Sequence, residues 1–129
     1  MSTAAAAPLP RAERLPRQQT LRRGADYQRC YRSGRRRHGS LVTLHFHPND
    51  EGFPRLGITV SRKVGRAVVR NRLKRWTREC FRRSPRRAGL PAFDLVVHFK
   101  PAARTASFDA VCGELDRLLA ALPRVAARA

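Results

Sequence analysis

Residues 62–87 read RKVGRAVVRNRLKRWTRECFRRSPRR, and the organisation of the chain can be worked out from this segment. It contains twelve Lys or Arg residues and a single acidic residue, Glu79. Positive charge at this density repels itself unless a partner with regularly spaced negative charge neutralises it. Such a partner is usually a nucleic acid, so the segment predicts nucleic-acid binding.

The same segment has the periodicity of an amphipathic helix, which we predict over residues 66–83. One apolar stripe is formed by residues spaced by four, three and four positions, namely Val69, Leu73, Trp76 and Cys80. At about 100° per residue the opposite face is polar. It carries Asn71, Lys74, Arg75, Arg78 and Arg82. We therefore expect the stripe, Trp76 included, to pack on a sheet while the cations face outward.

Patterns on either side of this helix predict a small α/β domain. The predicted elements are, in chain order, a helix over 25–33, a strand over 41–47, a strand over 55–61, the basic helix, a strand over 93–99 and a helix over 108–122. We expect the first two strands to form a hairpin, residues 35–37 (RRR) to be a basic connector, and Ser107 to cap the last helix. The order α-β-β-α-β-α is typical of an α/β (α+β) two-layer sandwich with a small mixed sheet.

Composition sets the limits of this domain. The chain has 129 residues, a length that suits one domain, which we predict over residues 21–122. Its net charge is +19. Residues 1–20 are rich in Ala, Pro and Arg and are predicted to be a disordered basic arm, and residues 123–129 a short tail. With neither an apolar run of the roughly 20 residues needed to cross a bilayer nor a secretory signal, the chain is expected in the cytoplasm.

The three cysteines are Cys30, Cys80 and Cys112. They are odd in number, far apart and without a CxxC pair, so the sequence indicates neither a disulfide framework nor a zinc ribbon. Each is predicted to be a small buried thiol in a reducing compartment.

Few side chains suit catalysis by the protein itself. Glu79 lies among arginines that stabilise its charged form, which makes it a poor general base. An intrahelical ion pair with Arg75, Arg82 or Arg83 is expected instead.

Histidines leave one alternative open. His45 and His47 share a strand face, and His98 could join them from a neighbouring strand as a three-histidine zinc site. No acidic partner is evident to orient the rings, and basic surroundings disfavour a bound cation, so we expect no metal site in the protein.

Residues 70–79, RNRLKRWTRE, resemble the RNR motif of the bacterial ribonuclease P protein component. The similarity continues outside the motif at residues 56–69 (LGITVSRKVGRAVV), at Asp26-Tyr27, Tyr31 and Gly34, and at residues 93–97 (FDLVV). Because the flanking glycines and strands match in the same order, the resemblance is specific and extends over the predicted domain.

The resemblance implies a fold similar to the second domain of ribosomal protein S5, with a left-handed βαβ crossover against the usual hand. The resemblance also implies that the chain is a subunit of an endoribonuclease that removes the 5′ leader from precursor tRNA. In the family a large RNA carries out the chemistry with Mg²⁺ held mainly by that RNA. The implied partners are therefore this catalytic RNA and precursor tRNA, with no further protein required.

Two sets of site residues follow from the resemblance. The surface expected to bind the catalytic RNA comprises Arg62, Lys63, Arg66, Arg70, Asn71, Arg72, Lys74, Arg75, Arg78 and Arg82. The cleft expected to bind the single-stranded leader comprises Tyr27, Tyr31 and His45. His45 stands where relatives often have Tyr, and core packing of the two tyrosines is the alternative to base stacking.

A structural ribosomal RNA-binding protein is the alternative function. It would share the fold type, the charge and the basic arm. The RNA that the chain binds in cells distinguishes the two, because ribosomal RNA would favour the alternative.

Overall fold

Apolar residues alternate along the inner strands, and this alternation gives a four-stranded sheet its core-facing side. The structure, a computed structural model, describes residues 15–123. Its elements are α1 (Gly24–Ser33), β1 (Arg35–His38), β2 (Val42–Pro48), β3 (Arg55–Thr59), α2 (Ala67–Arg83), β4 (Phe93–Phe99) and α3 (Phe108–Ala120). The predicted α+β class is confirmed, with one strand more than predicted.

β4 lies inside the sheet, between β2 and β3. The strand order is β1-β2-β4-β3, with β4 antiparallel to β2 and parallel to β3. The predicted hairpin between β2 and β3 is therefore wrong. β4 reads FDLVVHF and is buried along almost its whole length, as a strand covered on both faces must be. Periodicity identifies such a strand but does not say which strands lie beside it.

β1 is the strand that the sequence did not predict. Residues 35–37, which were predicted to be a basic connector, pair antiparallel with β2 at the edge of the sheet. A run of arginines has no apolar alternation, so pairing with β2 is what makes this segment a strand. Charged residues are well tolerated there because an edge strand keeps them in water.

Helices cover both faces of the sheet. α2 and α3 pack on the main core, to which they contribute buried residues such as Leu73, Phe81 and Leu115. Ser107 caps α3 as predicted, because its Oγ accepts a hydrogen bond from the Ala110 N–H at 3.1 Å. α1 packs on the opposite face over Val96 and adds a partial third layer to the predicted two. None of the helices in residues 15–123 has the length and apolar composition needed to cross a membrane.

A disulfide joins Cys80 of α2 to Cys112 of α3. The prediction of three free thiols is wrong for this pair. The two Cα atoms lie 5.3 Å apart although 32 residues separate them, and only the packing of α3 on α2 brings them together. Cys30 is a buried free thiol, as predicted, and burial and the nearby Asp94 raise its pKa to about 12.

Residues 15–20 also contact the domain. A 3-10 turn forms at Arg17–Gln19, and Thr20 makes a β-bridge with Leu56 on the outer edge of β3. The Leu21 N–H then donates to the Leu56 carbonyl at 2.8 Å. The predicted disorder is therefore wrong for residues 15–20, because the edge of β3 offers these residues backbone partners. Residues 1–14 and the tail after residue 123 lie outside the described residues.

Candidate nucleic-acid interface

α2 presents the cationic face that its periodicity predicts. Leu73 and Cys80 are buried, whereas Asn71, Arg75 and Arg78 are exposed. The loop before α2 adds further exposed cations, namely Arg62, Lys63 and Arg66. Arg70, Arg72, Lys74 and Arg82 are partly buried and lie at the borders of this face. The ten residues predicted for the RNA surface therefore lie together on α2 and the loop that precedes it.

The single carboxylate of α2 is occupied by an ion pair. Glu79 Oε2 lies 3.1 Å from Arg83 Nη2, one helical turn away. This confirms the predicted intrahelical pair, and a carboxylate held in this way is a poor general base.

Trp76 faces the protein, as predicted. Its ring meets Phe108 edge to face, with ring centroids 5.7 Å apart. The Arg72 guanidinium lies 5.1 Å from the Trp76 ring centroid and also donates to the Arg104 carbonyl at 3.4 Å. Arg72 is thus partly engaged by the protein, whereas Arg75 points into solvent.

Tyr27 connects α1 to the border of the cationic face. Its ring lies against Gly57, where an added Cβ would be 2.7 Å from the ring, so only glycine fits beneath it. Tyr27, Lys74 and Arg78 line a shallow hollow of about 150 Å³ beside β3. The Tyr27 hydroxyl donates to the Leu21 carbonyl at 3.4 Å. Most of the Tyr27 ring therefore packs against the protein, and its outer edge lies in the hollow that Lys74 and Arg78 also line.

Tyr31 and two histidines meet on the sheet face beneath α1. The Tyr31 and His45 ring centroids lie 4.6 Å apart, and the hydroxyl of Tyr31 lies 3.2 Å from His98 Nδ1. That hydroxyl also donates to Thr59 Oγ1 at 2.9 Å. Tyr31 is partly exposed, but His45 is only 9% exposed and forms a wall of the cleft. The sequence allowed His98 to lie beside His45, and the two ring centroids are 6.2 Å apart. It did not predict the contacts of Tyr31 with His98 and Thr59, because β-sheet register decides both.

The pKa of His45 lies below the ordinary histidine value. Burial is the main cause, and the neighbouring His98, Arg36 and His38 lower the pKa further. His45 therefore adds ring surface to the cleft without adding charge.

The three-histidine zinc alternative lacks its geometry. His47 Nδ1 lies 2.7 Å from the Pro48 carbonyl oxygen and His98 Nδ1 lies 3.2 Å from the Tyr31 hydroxyl, so only the Nε2 atoms of these two rings could bind a metal. Within residues 15–123, no three His, Cys, Asp or Glu side chains are grouped so that they could hold a metal ion.

A buried ion pair holds α1 against the sheet. Asp94 is 0% exposed, and its two oxygens accept hydrogen bonds from Arg55 Nε and Nη2, each at 2.8 Å. Asn49 Nδ2 adds a third at 2.9 Å. Arg55 also reaches Asp26 of α1 at 3.7 Å, and the Cys30 thiol donates to the Asp94 carbonyl at 3.5 Å. The hydrogen bonds and charge of Asp94 raise the pKa of Arg55. These contacts fix the helix that carries the two tyrosines.

Comparisons with known proteins agree with this arrangement. A family model described as Ribonuclease P matches residues 15–123. The ribonuclease P protein component of Syntrophus aciditrophicus is 36% identical over 110 residues, which span 85% of this chain and 92% of that protein. That of Acidothermus cellulolyticus is 40% identical over 111 residues, spanning 84% of this chain and 91% of that protein.

Solved structures give the same result for the fold. The RNase P protein of Staphylococcus aureus superposes with a TM-score of 0.72 at 30% identity, covering 79% of this chain and 93% of that one. The RNase P protein of Thermotoga maritima gives a TM-score of 0.72 at 32% identity, covering 81% and 98%.

Proposed function

This chain belongs to the ribonuclease P protein family, and we propose that it works as the RNA-binding subunit of a holoenzyme whose RNA performs the cleavage. The holoenzyme is the endoribonuclease that matures the 5′ ends of tRNA. One observation carries the proposal: α2 is core-packed on one side and densely cationic on the other, with its single carboxylate held in an ion pair. Such a surface binds RNA, and it offers no side chain suited to activating water.

In the proposed complex the cationic face of α2 lies on the catalytic RNA. Exposed guanidiniums such as those of Arg75 and Arg78 would bind phosphate oxygens in the bidentate geometry that arginine favours. Contacts of this kind fix position and orientation without reading base sequence. Asn71, exposed among them, can both donate and accept a hydrogen bond.

Magnesium in this proposal is held by RNA phosphates. When bound, Mg²⁺ would lower the pKa of the attacking water and stabilise the leaving oxygen. The α2 surface does not fit a protein magnesium site, because Mg²⁺ prefers oxygen ligands and Glu79 is paired with Arg83. The role proposed for the protein is to position RNA and to offset phosphate repulsion.

The leader of precursor tRNA is proposed to bind at Tyr31. Proteins that hold single strands combine a positive groove with aromatic rings on which bases stack. Tyr31 is partly exposed at the mouth of the cleft, with His45 as its wall. Tyr27 is turned toward Gly57 and is proposed to contribute its edge. Because α1 is fixed by the Asp94 contacts, both rings are held in place before RNA binds.

The proposal also covers the location of the chain and its partners. We place the chain in the cytoplasm, where precursor tRNA is made, and we propose that the catalytic RNA and precursor tRNA suffice as partners.

The test is cleavage of a precursor tRNA at low Mg²⁺ by the cognate catalytic RNA, with and without the protein. We expect cleavage when both are present and none from the protein alone, because its cations would replace part of the Mg²⁺ that screens phosphate repulsion. The variant Arg117→Ala removes one cation from α3, where the side chain is 73% exposed and lies outside the proposed interface. It serves as the control for the effect of net charge alone. If the protein changed neither the Mg²⁺ requirement nor the affinity for precursor, and isolated ribosomal RNA from cells, the ribosomal alternative would replace this proposal.

A further inference from the structure

β1 places four consecutive cationic or titratable side chains at the edge of the sheet. Alternation along the strand divides them between the two faces. The guanidiniums of Arg35 and Arg37 lie 5.7 and 5.9 Å from the ring centroid of Phe46, on the core-facing side. Arg36 and His38, both exposed, lie on the other side, which is the face that carries α1.

The register of β1 places Arg36 next to the leader cleft. Arg36 lies directly opposite His45 across the strand pair, at the roughly 5 Å typical of such neighbours. His45 in turn contacts Tyr31 through its ring. A continuous row therefore runs across the sheet from Tyr31 through His45 to Arg36. α1 packs mainly on β2 and β4 and leaves the end of this row open.

The β1–β2 turn is held in place from the opposite side of the domain. Glu114 of α3 is 4% exposed, and its carboxylate accepts hydrogen bonds from the N–H groups of Ser40, Leu41 and Val42 at 2.7 to 2.9 Å. Lys100 Nζ donates to the Gly39 carbonyl at 2.6 Å. β1 thus presents its cations from a fixed strand, so little ordering entropy is lost when they bind a ligand.

We propose that Arg36 and His38 bind backbone phosphates of leader nucleotides farther from the cleavage site than those that stack at Tyr31. The proposal rests on the proposed function and extends its leader cleft across β1. A cationic track beside an aromatic platform is the arrangement by which single strands are held. Charge on an edge strand also prevents edge-to-edge pairing of sheets, but that role needs no particular face of the strand. Dependence on the face therefore separates the two explanations.

The test compares precursor tRNAs that differ only in leader length. The holoenzyme is reconstituted from the cognate catalytic RNA and the full chain, and precursor affinity is measured with leaders of about two and about ten nucleotides. Arg36→Ala is the variant, and Arg35→Ala is its matched control, because it removes the same charge from the neighbouring position on the opposite face. Circular dichroism and thermal melting establish that both variants fold, and Arg36→Gln serves if Arg36→Ala does not.

We expect Arg36→Ala to weaken binding of the long-leader precursor about 3- to 10-fold and to flatten its log–log salt dependence by ~0.7 for one lost single-strand phosphate contact. Binding of the short-leader precursor should change less than about 2-fold, and Arg35→Ala should leave both precursors within about 2-fold of wild type. Equal losses for the two variants, or for the two leader lengths, would overturn the proposal. Failure of the proposed function looks different, because the wild-type protein would then not stimulate the catalytic RNA with either leader.

Discussion

Removing Arg55 should destabilise the domain strongly, because it leaves a charged carboxylate buried. Asp94 is 0% exposed and receives two hydrogen bonds from Arg55 and one from Asn49, all at 2.8 to 2.9 Å. In Arg55→Met the carboxylate keeps only the neutral Asn49 donor. Breaking a buried pair in this way costs about 3–5 kcal/mol of unfolding free energy. Native domains have only about 5–15 kcal/mol in total, so the variant should be close to the limit of folding.

Urea denaturation followed by circular dichroism measures this loss. With a slope of roughly 2 kcal/mol per molar urea, the midpoint should fall by about 2 M. Arg29→Met is the matched control: Arg29 pairs with Asp26 at 3.4 Å but is 46% exposed, so its loss should be below about 1 kcal/mol. The double variant Arg55→Met/Asp94→Leu should recover part of the stability, because it removes the stranded charge together with its partner. A loss below about 1 kcal/mol in Arg55→Met would refute the reasoning.

Four other predictions follow from the surfaces and the core. Arg75→Ala should weaken binding to the catalytic RNA and flatten its log–log salt slope by ~0.9 or less, and an unchanged slope in a filter-binding titration would remove this residue from the interface. Tyr31→Ala should weaken binding of leader-bearing precursor more than of mature tRNA, whereas equal losses would assign the ring to the core alone. A thiol assay on the unfolded, unreduced protein should detect one of the three cysteines, and detection of all three would contradict the pairing of Cys80 with Cys112. Because the pKa of His45 is lowered in the folded state, its contribution to stability is complete above about pH 6.5 and is lost as the pH falls below that value, where the unfolded chain binds the proton more readily. The wild-type urea midpoint should therefore fall more than that of His45→Asn over this range, and parallel profiles would exclude the effect.

The cationic helix is the part of the site that could be predicted in most detail. Its apolar stripe and its charged face repeat with the period of one helix, so both are local properties of residues 66–83. The inward orientation of Trp76 and the ion pair of Glu79 follow from the same period, and the structure confirms both.

The cleft could be predicted only in part. Tyr31 and His45 were placed in one cleft by resemblance, and the structure puts them in contact. The contribution of His98 depends on the pairing of β2 with β4, which no local pattern reveals. Arg36 was predicted to be in a connector because three successive arginines carry no strand period.

Local patterns in the sequence predict a cationic amphipathic helix on a small α+β domain. The charge density and the apolar period of this helix are local properties, so they do not depend on which elements pack around it. Three features are visible only in the folded chain: β4 separates β2 from β3, Cys80 reaches Cys112, and Arg36 borders the cleft. Each of these depends on contacts between residues distant in the chain, and such contacts are selected by how the whole apolar surface is buried at once.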